Sequence, residues 1–224
     1  MTTLFITSSG TGIGKTFVTR QLIAELKAAG RRVRALKPVA SGFDAAHPEG
    51  SDTGELLRAL ALEPTAANLD AVSPWRFAAP LSPDMAAARE RRTIPFAALV
   101  AHCRAAGRSG DVTLIEGIGG VMVPLNDRHT VLDWMVALTC PVILVTGSYL
   151  GSLSHALTSI DALGPRSIAI RTVVVNETPG STVPLTETVA TLARFAAPIP
   201  VVALPHLPAT DTTHPAIAQI AAML

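Results

Sequence analysis

The octapeptide Ser9-Gly10-Thr11-Gly12-Ile13-Gly14-Lys15-Thr16 constrains this chain more than any other stretch. Before it, Thr3 to Thr7 is a short β-rich run. After it, Phe17, Val18, Leu22, Ile23 and Leu26 recur at helical spacing, and Gly30 stands where a glycine would close the helix. Arg32 to Lys37 reads as a second strand, stopped by Pro38. Strand, tight turn, helix and strand in that order form a βαβ unit, which implies parallel pairing and a right-handed crossover. Within the turn, Gly10 and Gly12 can take positive φ and let successive backbone N–H groups converge on an anion. The helix start adds its dipole, Lys15 a point charge on the β/γ-phosphates, and Thr16 a hydroxyl for Mg²⁺. Gly14-Lys15-Thr16 matches the Walker A pattern, with Ser9 where that pattern has its first glycine. Flanked by a strand and a helix, the turn reads as a nucleoside triphosphate site and not as a glycine-rich turn with an incidental lysine.

The same alternation continues along the chain. Val112 to Ile115, Val142 to Val145, Ile168 to Val175 and Pro200 to Leu204 are short apolar runs, as expected for strands buried on both faces. The helix candidates are Ser51 to Leu62, Pro95 to Ala106, Thr130 to Leu138, Gly151 to Leu163, Leu185 to Phe195 and His214 to Leu224. The expectation is an α/β fold with a doubly wound, mainly parallel sheet and helices on both faces, formed by residues 1–224 as a single domain. Segments Asp44 to Gly50 and Asp70 to Pro83 read as irregular loops over the sheet.

Composition removes several classes of function. With 49% hydrophobic and 16% charged residues the chain can bury a core, which argues against disorder. A formal net charge of +1 and 4% aromatic residues offer neither a basic footprint nor stacking platforms for nucleic acid. No apolar run approaches the roughly 20 residues of a membrane span, and Met1 leads directly into Leu4-Phe5-Ile6 without a signal-peptide pattern. The two cysteines, Cys103 and Cys140, are isolated and read as core thiols of a reducing compartment. The expected location is the cytoplasm, with no nucleic-acid or membrane partner.

Two acids can complete a metal site. Glu116 follows the strand Val112 to Ile115 and so emerges beside the phosphate turn, with Gly117, Gly119 and Gly120 keeping that edge low. Asp52 opens a helix, where an acid serves equally as a cap beside Ser51 or as a cation ligand. Lys37-Pro38-Val39-Ala40-Ser41-Gly42 puts a second lysine and a hydroxyl at the same edge. That is a pocket for another anion, or a strand-end lysine before a proline turn. His155 reads more readily as a hydrogen-bonded packing residue of an apolar helix than as a ligand.

Taken together, Gly12-Ile13-Gly14-Lys15-Thr16, Lys37 to Gly42, Glu116-Gly117-Ile118-Gly119-Gly120, and Pro124-Leu125 with Thr130 and Asp133-Trp134 resemble the dethiobiotin synthetase family. Leu150-Gly151 with His155-Ala156, Asn176, and Pro205-His206-Leu207 extend the resemblance over nearly the whole chain. It implies an ATP-dependent cyclo-ligase of biotin synthesis, acting on 7,8-diaminopelargonate, CO₂ and MgATP through a carbamate and a carbamic-phosphoric anhydride. In that scheme Lys37, Lys15 and Thr11 are catalytic, and Thr16, Asp52 and Glu116 hold Mg²⁺. The nucleotide would touch Gly12, Ile13, Gly14, Lys15, Thr16, Phe17, Asp52, Glu116, Gly117, Ile118, Gly119, Asn176 and Glu177, with Pro205, His206 and Leu207 along the base. The diamine would meet Thr11, Lys37 and Ser41. Its carboxylate would meet Leu150, Gly151, Ser152, Leu153 and Ser154 of a second subunit, which makes the expected assembly a homodimer. Ser154 stands where the family often has Asn, and Ser8 and Ser9 replace a more usual Gly-Thr. The competing reading is an ATPase switch of the partition or septum-positioning type. Those proteins carry an extra lysine where this chain has Gly10.

Overall fold

The computed structural model describes residues 2–107, 110–207 and 214–224. The chain runs β1 (Thr2–Ser8), α1 (Lys15–Ala28), β2 (Val33–Leu36), β3 (Val39–Ser41), α2 (Asp52–Leu60), α3 (Ala66–Val72), β4 (Trp75–Phe77), α4 (Pro83–Arg89) and α5 (Phe96–Ala106). It continues with β5 (Val112–Glu116), α6 (Val131–Leu138), β6 (Val142–Gly147), α7 (Ser152–Leu163), β7 (Ile170–Asn176), α8 (Leu185–Phe195), β8 (Val201–Leu204) and α9 (Pro215–Ala222). Among the described residues, β2, β5, β1, β6, β7 and β8 lie in that order in one parallel sheet. The fold is therefore the doubly wound α/β arrangement expected from the sequence.

Period-2 alternation splits the strands between two cores. Leu4 and Ile6 of β1, Leu114 of β5, and Ile143 and Val145 of β6 face one side, where Val18, Leu22, Ile23 and Leu26 of α1, Leu56 of α2 and Ile217 and Ile220 of α9 cover them. Phe5, Ile115, Val142 and Leu144 face the other side, against α5, α6, α7 and α8. Trp134 of α6 packs its ring edge-on to Phe5, with centroids 4.9 Å apart. The helix α1 ends as its glycine predicts. Gly30 takes φ +75°, its N–H donates to Lys27 O, and Arg31 N–H donates to Leu26 O, which is the Schellman pairing.

The segments expected to be irregular are partly regular. Asp70 to Val72 finish α3, Trp75–Phe77 form β4, Pro83 begins α4, and Pro48–Gly50 make a short 3₁₀ turn. β4 pairs in parallel with β3 in a separate two-stranded sheet, Ser41 opposite Phe77. Strands of three residues are too short to display alternation, so only their partner reveals them.

Strand register sets the site. Ile115 of β5 pairs with Leu36 of β2, so the next residue of each, Glu116 and Lys37, emerge side by side. Leu36 and Ile115 face the α5–α8 core, so alternation turns Lys37 and Glu116 to the α1–α2 side. Across the sheet, Gly147 pairs with Asn176, and Asn176 with Leu204. The carboxyl edge thus carries Ser8, Lys37, Glu116, Asn176 and Leu204 at staggered heights, with Glu116 level with Ile6 and Asn176 further along its strand. Ligands bind outside this edge in open α/β sheets.

Candidate active site

The phosphate turn links β1 to α1, and the N-terminus of α1 has no side-chain cap, which leaves its first amides aimed at the turn. Gly14 sits at φ +95°, and a Cβ there would come within 2.4 Å of Asn176 Nδ2. Glycine is thus required both by the backbone and by the approach of β7. Asn176 Nδ2 donates to Ile13 O at 3.0 Å, tying the end of β7 to the turn.

Lys15 is buried, and its ammonium donates to Ser8 Oγ at 3.0 Å, Gly119 O at 2.9 Å and Gly10 O at 3.4 Å. Burial, and then the charge of Lys37, lower its pKa to about 8 despite Glu116 and Asp52 nearby. Lys37 is also buried. Its Nζ stands 2.6 Å from Glu116 Oε1, 3.0 Å from Asp52 Oδ2 and 3.1 Å from Gly117 O. Burial works against its charge, but the two carboxylates outweigh it and hold the Lys37 pKa above the ordinary value. Asp52, half-exposed, keeps its carboxyl below the usual range: burial raises its pKa, and the Lys37 ammonium more than reverses that.

Thr16 Oγ1 donates to Glu116 Oε1 at 2.7 Å. Glu116 is fully buried, and its other oxygen, Oε2, has no partner among the described residues. An unpaired buried carboxylate oxygen is costly unless something positive reaches it. Thr16, Asp52 and Glu116 offer only oxygen donors, which suits a hard cation such as Mg²⁺ that completes its shell with phosphate oxygens and water. Among the described residues no group of three or more His, Cys, Asp or Glu could hold a metal by itself. The set therefore fits a cation that arrives with its nucleotide.

The remaining candidates fall into two places. Toward β7 and β8, Glu177 Oε2 accepts from His206 N–H at 2.8 Å, which folds Pro205, His206 and Leu207 back beside Asn176. Phe17 packs against the α1-side core under the Arg20 guanidinium. On the opposite flank, a groove of about 470 Å³ runs along Ser9, Gly10 and the exposed Thr11 to Gly120–Pro124 and the α7 residues His155, Thr158, Ser159 and Ala162. Ser41 is half-buried on β3, while Ile118 and Leu153 turn into the α5–α8 core. Before α7, Leu150 is 91% exposed and Gly151 takes φ +100°. Ser152 Oγ is buried without a partner among the described residues, and Ser154 is exposed. His155 is not a packing residue of an apolar face. It is exposed, and its Nδ1 shares a 2.8 Å hydrogen bond with Tyr149 OH.

Sequence reasoning overlooked three supports. Ser8 Oγ bonds Gly10 O and Gly119 O beneath Lys15, Ser9 Oγ bonds Thr146 Oγ1, and a buried Thr53–Ser73 pair meets the Lys37 backbone. Apart from the local Ser8–Gly10 bond, each is a hydroxyl whose partner lies twenty or more residues away, and spacing carries no trace of that.

Comparison with known proteins gives a consistent answer. Residues 2–214 match the family model described as an AAA domain. The chain is 52% identical over 202 residues to the ATP-dependent dethiobiotin synthetase BioD of Methylobacterium nodulans, covering 88% of this chain and 90% of the relative. It is 49% identical over 208 residues to the protein of the same name from Acidiphilium cryptum, covering 90% and 92%. Among solved structures, the MinC:MinD cell division complex of Aquifex aeolicus aligns with a TM-score of 0.59 at 14% identity, over 100% of this chain and 94% of that chain. Chloroplast FtsY of Physcomitrella patens aligns at 0.54 and 19% identity, over 99% and 64%. At such identities those two structures speak to the fold alone.

Proposed function

We infer that this chain, which belongs to the dethiobiotin synthetase family, performs that family's reaction: 7,8-diaminopelargonate, CO₂ and ATP give dethiobiotin, ADP and phosphate. One amine adds to CO₂ and loses a proton, leaving a carbamate. A carbamate oxygen attacks the γ-phosphorus and the β–γ bridging bond breaks, releasing ADP. The second amine then attacks the carbonyl carbon, phosphate departs with its electron pair, and loss of a proton leaves the cyclic urea. The observation that carries this reading is Lys37, a buried ammonium held by Glu116 and Asp52 at the edge where Lys15 serves the phosphate turn.

The chemistry requires two anions, carbamate and γ-phosphate, to meet. Fixed cations on both sides offset that repulsion and stabilise the transferring charge. Lys15 and the amides of residues 12–16 hold the phosphates, and Lys37 with Thr11 and Ser41 receives the carbamate. Thr16, Asp52 and Glu116 hold Mg²⁺, which when bound neutralises phosphate charge. Asn176, Glu177 and residues 205–207 bound the base, beside Phe17. Ring closure needs no enzymatic nucleophile, because holding the second amine near the carbonyl supplies the effective concentration.

The finer assignments are part of the same proposal. The chain acts as one domain and as a homodimer in the cytoplasm. In it the diamine carboxylate meets Leu150–Ser154 of the second subunit. The exposed Leu150 and the Ser152 hydroxyl, without a partner among the described residues, support this reading at the start of α7, as does the preference of helix N-termini for anions. The free, buried Cys103 and Cys140 suit a reducing compartment.

The deciding assay is phosphate release from MgATP and bicarbonate with and without the diamine, with the product checked by mass. Diamine-dependent release with one dethiobiotin per phosphate is expected. Slow hydrolysis indifferent to the diamine would instead favour the ATPase switch. Lys37→Ala is expected to remove nearly all turnover while ATP still binds, measured by calorimetry. Parallel loss of ATP affinity would make Lys37 a nucleotide ligand.

A further inference from the structure

β2 ends at Leu36, so Lys37 stands beyond the sheet ladder, and Pro38 after it has no N–H to give. The backbone here is held instead by the last residue of α3 and the segment that follows it. Lys37 N–H donates to Val72 O at 3.0 Å, Trp75 N–H donates to Pro38 O at 3.0 Å, and the Lys37 carbonyl accepts from Ser73 Oγ. Ser73 is fully buried, and so is Thr53, whose Oγ1 lies 2.8 Å from Ser73 Oγ.

The direction of this chain follows from its chemistry. A carbonyl only accepts, so the single Ser73 proton is committed to Lys37, and Thr53 must donate to Ser73. Thr53 belongs to the first turn of α2 and adjoins Asp52, whose carboxylate meets Lys37 Nζ. α2 therefore holds Lys37 twice, at its ammonium through Asp52 and at its backbone through Thr53 and Ser73. Buried hydroxyls in series polarise one another, and removing the middle member leaves both a carbonyl and a hydroxyl without partners.

We propose that Ser73, backed by Thr53, is a positioning residue for the synthetase reaction, fixing the Lys37 backbone so that its ammonium stands where carbamate and γ-phosphate meet. This rests on the role given above to Lys37. Four methylenes separate that ammonium from its Cα, so any backbone slip passes into the position of the charge, to which transfer rates are sensitive.

The test compares Ser73→Ala, Thr53→Val and Thr53→Ser with Lys37→Ala in steady-state assays run well below each variant's melting temperature. Ser73→Ala should lower kcat about tenfold and Thr53→Val about threefold, with KM for MgATP within about twofold of the parent. Thr53→Ser, which keeps the hydroxyl, should recover most of the rate. A kcat within about twofold of the parent for both Ser73→Ala and Thr53→Val would overturn the proposal, as would a loss carried by KM for MgATP. If Ser73→Ala does not fold, the contrast between Thr53→Val and Thr53→Ser decides. Should Lys37→Ala itself retain turnover, the role of Lys37 fails and not only its support.

Discussion

At single residues, burial sets chemistry more than residue type does. Cys103 and Cys140 are both buried thiols. Burial pushes Cys103 up to about 12 and Cys140 up to about 11. Since the thiolate is the reactive form, at pH 8 it is at most about a thousandth of either group. Neither cysteine should react quickly with a disulfide reagent in the native protein at that pH, and both should react in urea. Rapid labelling of one thiol without denaturant would contradict this. Burial also takes charge out of water at Glu116 and Lys37. There it is tolerable only because the two charges satisfy each other, so removing either strands its partner.

At the scale of elements, the start of α6 shows how local rules and their actual strengths differ. Thr130 and Asp133 form a capping box, as their spacing suggests. The box is lopsided. Asp133 Oδ2 accepts from Thr130 N–H and Thr130 Oγ1 at 2.8 Å each, whereas the reciprocal bond from Asp133 N–H to Thr130 Oγ1 is 3.4 Å. Asp133→Ala should therefore cost about 1–2 kcal/mol in urea unfolding, in the usual range for a lost cap. Burial raises the Asp133 pKa, but the Thr130 N–H and hydroxyl outweigh it and leave it lowered from 3.8. With its folded pKa below the unfolded one, Asp133 stabilises the protein above the ordinary carboxylate range. That contribution fades as pH falls through its lowered value. The stability gap between parent and Asp133→Ala should thus be present at neutral pH and close below 3.8. A gap unchanged in acid would mean that packing, not the carboxylate, is what the substitution removes.

For the whole molecule, one sheet joins two cores, and its carboxyl edge gathers residues from β1, β2, β5 and β7. A nucleotide at that edge binds only the assembled sheet, so MgATP should stabilise the fold by mass action, by about 2.7 kcal/mol at a hundredfold excess over Kd. The shift is read as a higher melting temperature with MgATP. Lys15→Ala should abolish it, because that buried ammonium, held by Ser8 Oγ and Gly119 O, is the cation the phosphate turn presents to the nucleotide. A full shift in that variant would move nucleotide recognition away from the phosphate turn.

The phosphate turn, the βαβ order, the Gly30 helix stop and the strands buried on both faces were legible in the chain because each depends on neighbours within a few residues. The same locality made Lys15, Thr16, Lys37 and Glu116 visible as candidates, each at the end of a recognisable element. Tertiary structure decided the rest. Only the pairing of Leu36 with Ile115 puts Lys37 beside Glu116, and only the pairing of β3 with β4 brings Ser73 under the Lys37 carbonyl. It also turned Asp52, ambiguous as a cap or a ligand, toward Lys37, and left the actual capping of α2 to Ser51. Hydrogen bonds between residues tens of positions apart leave no period in a sequence. Their partners exist only once register and crossover have brought the strands together.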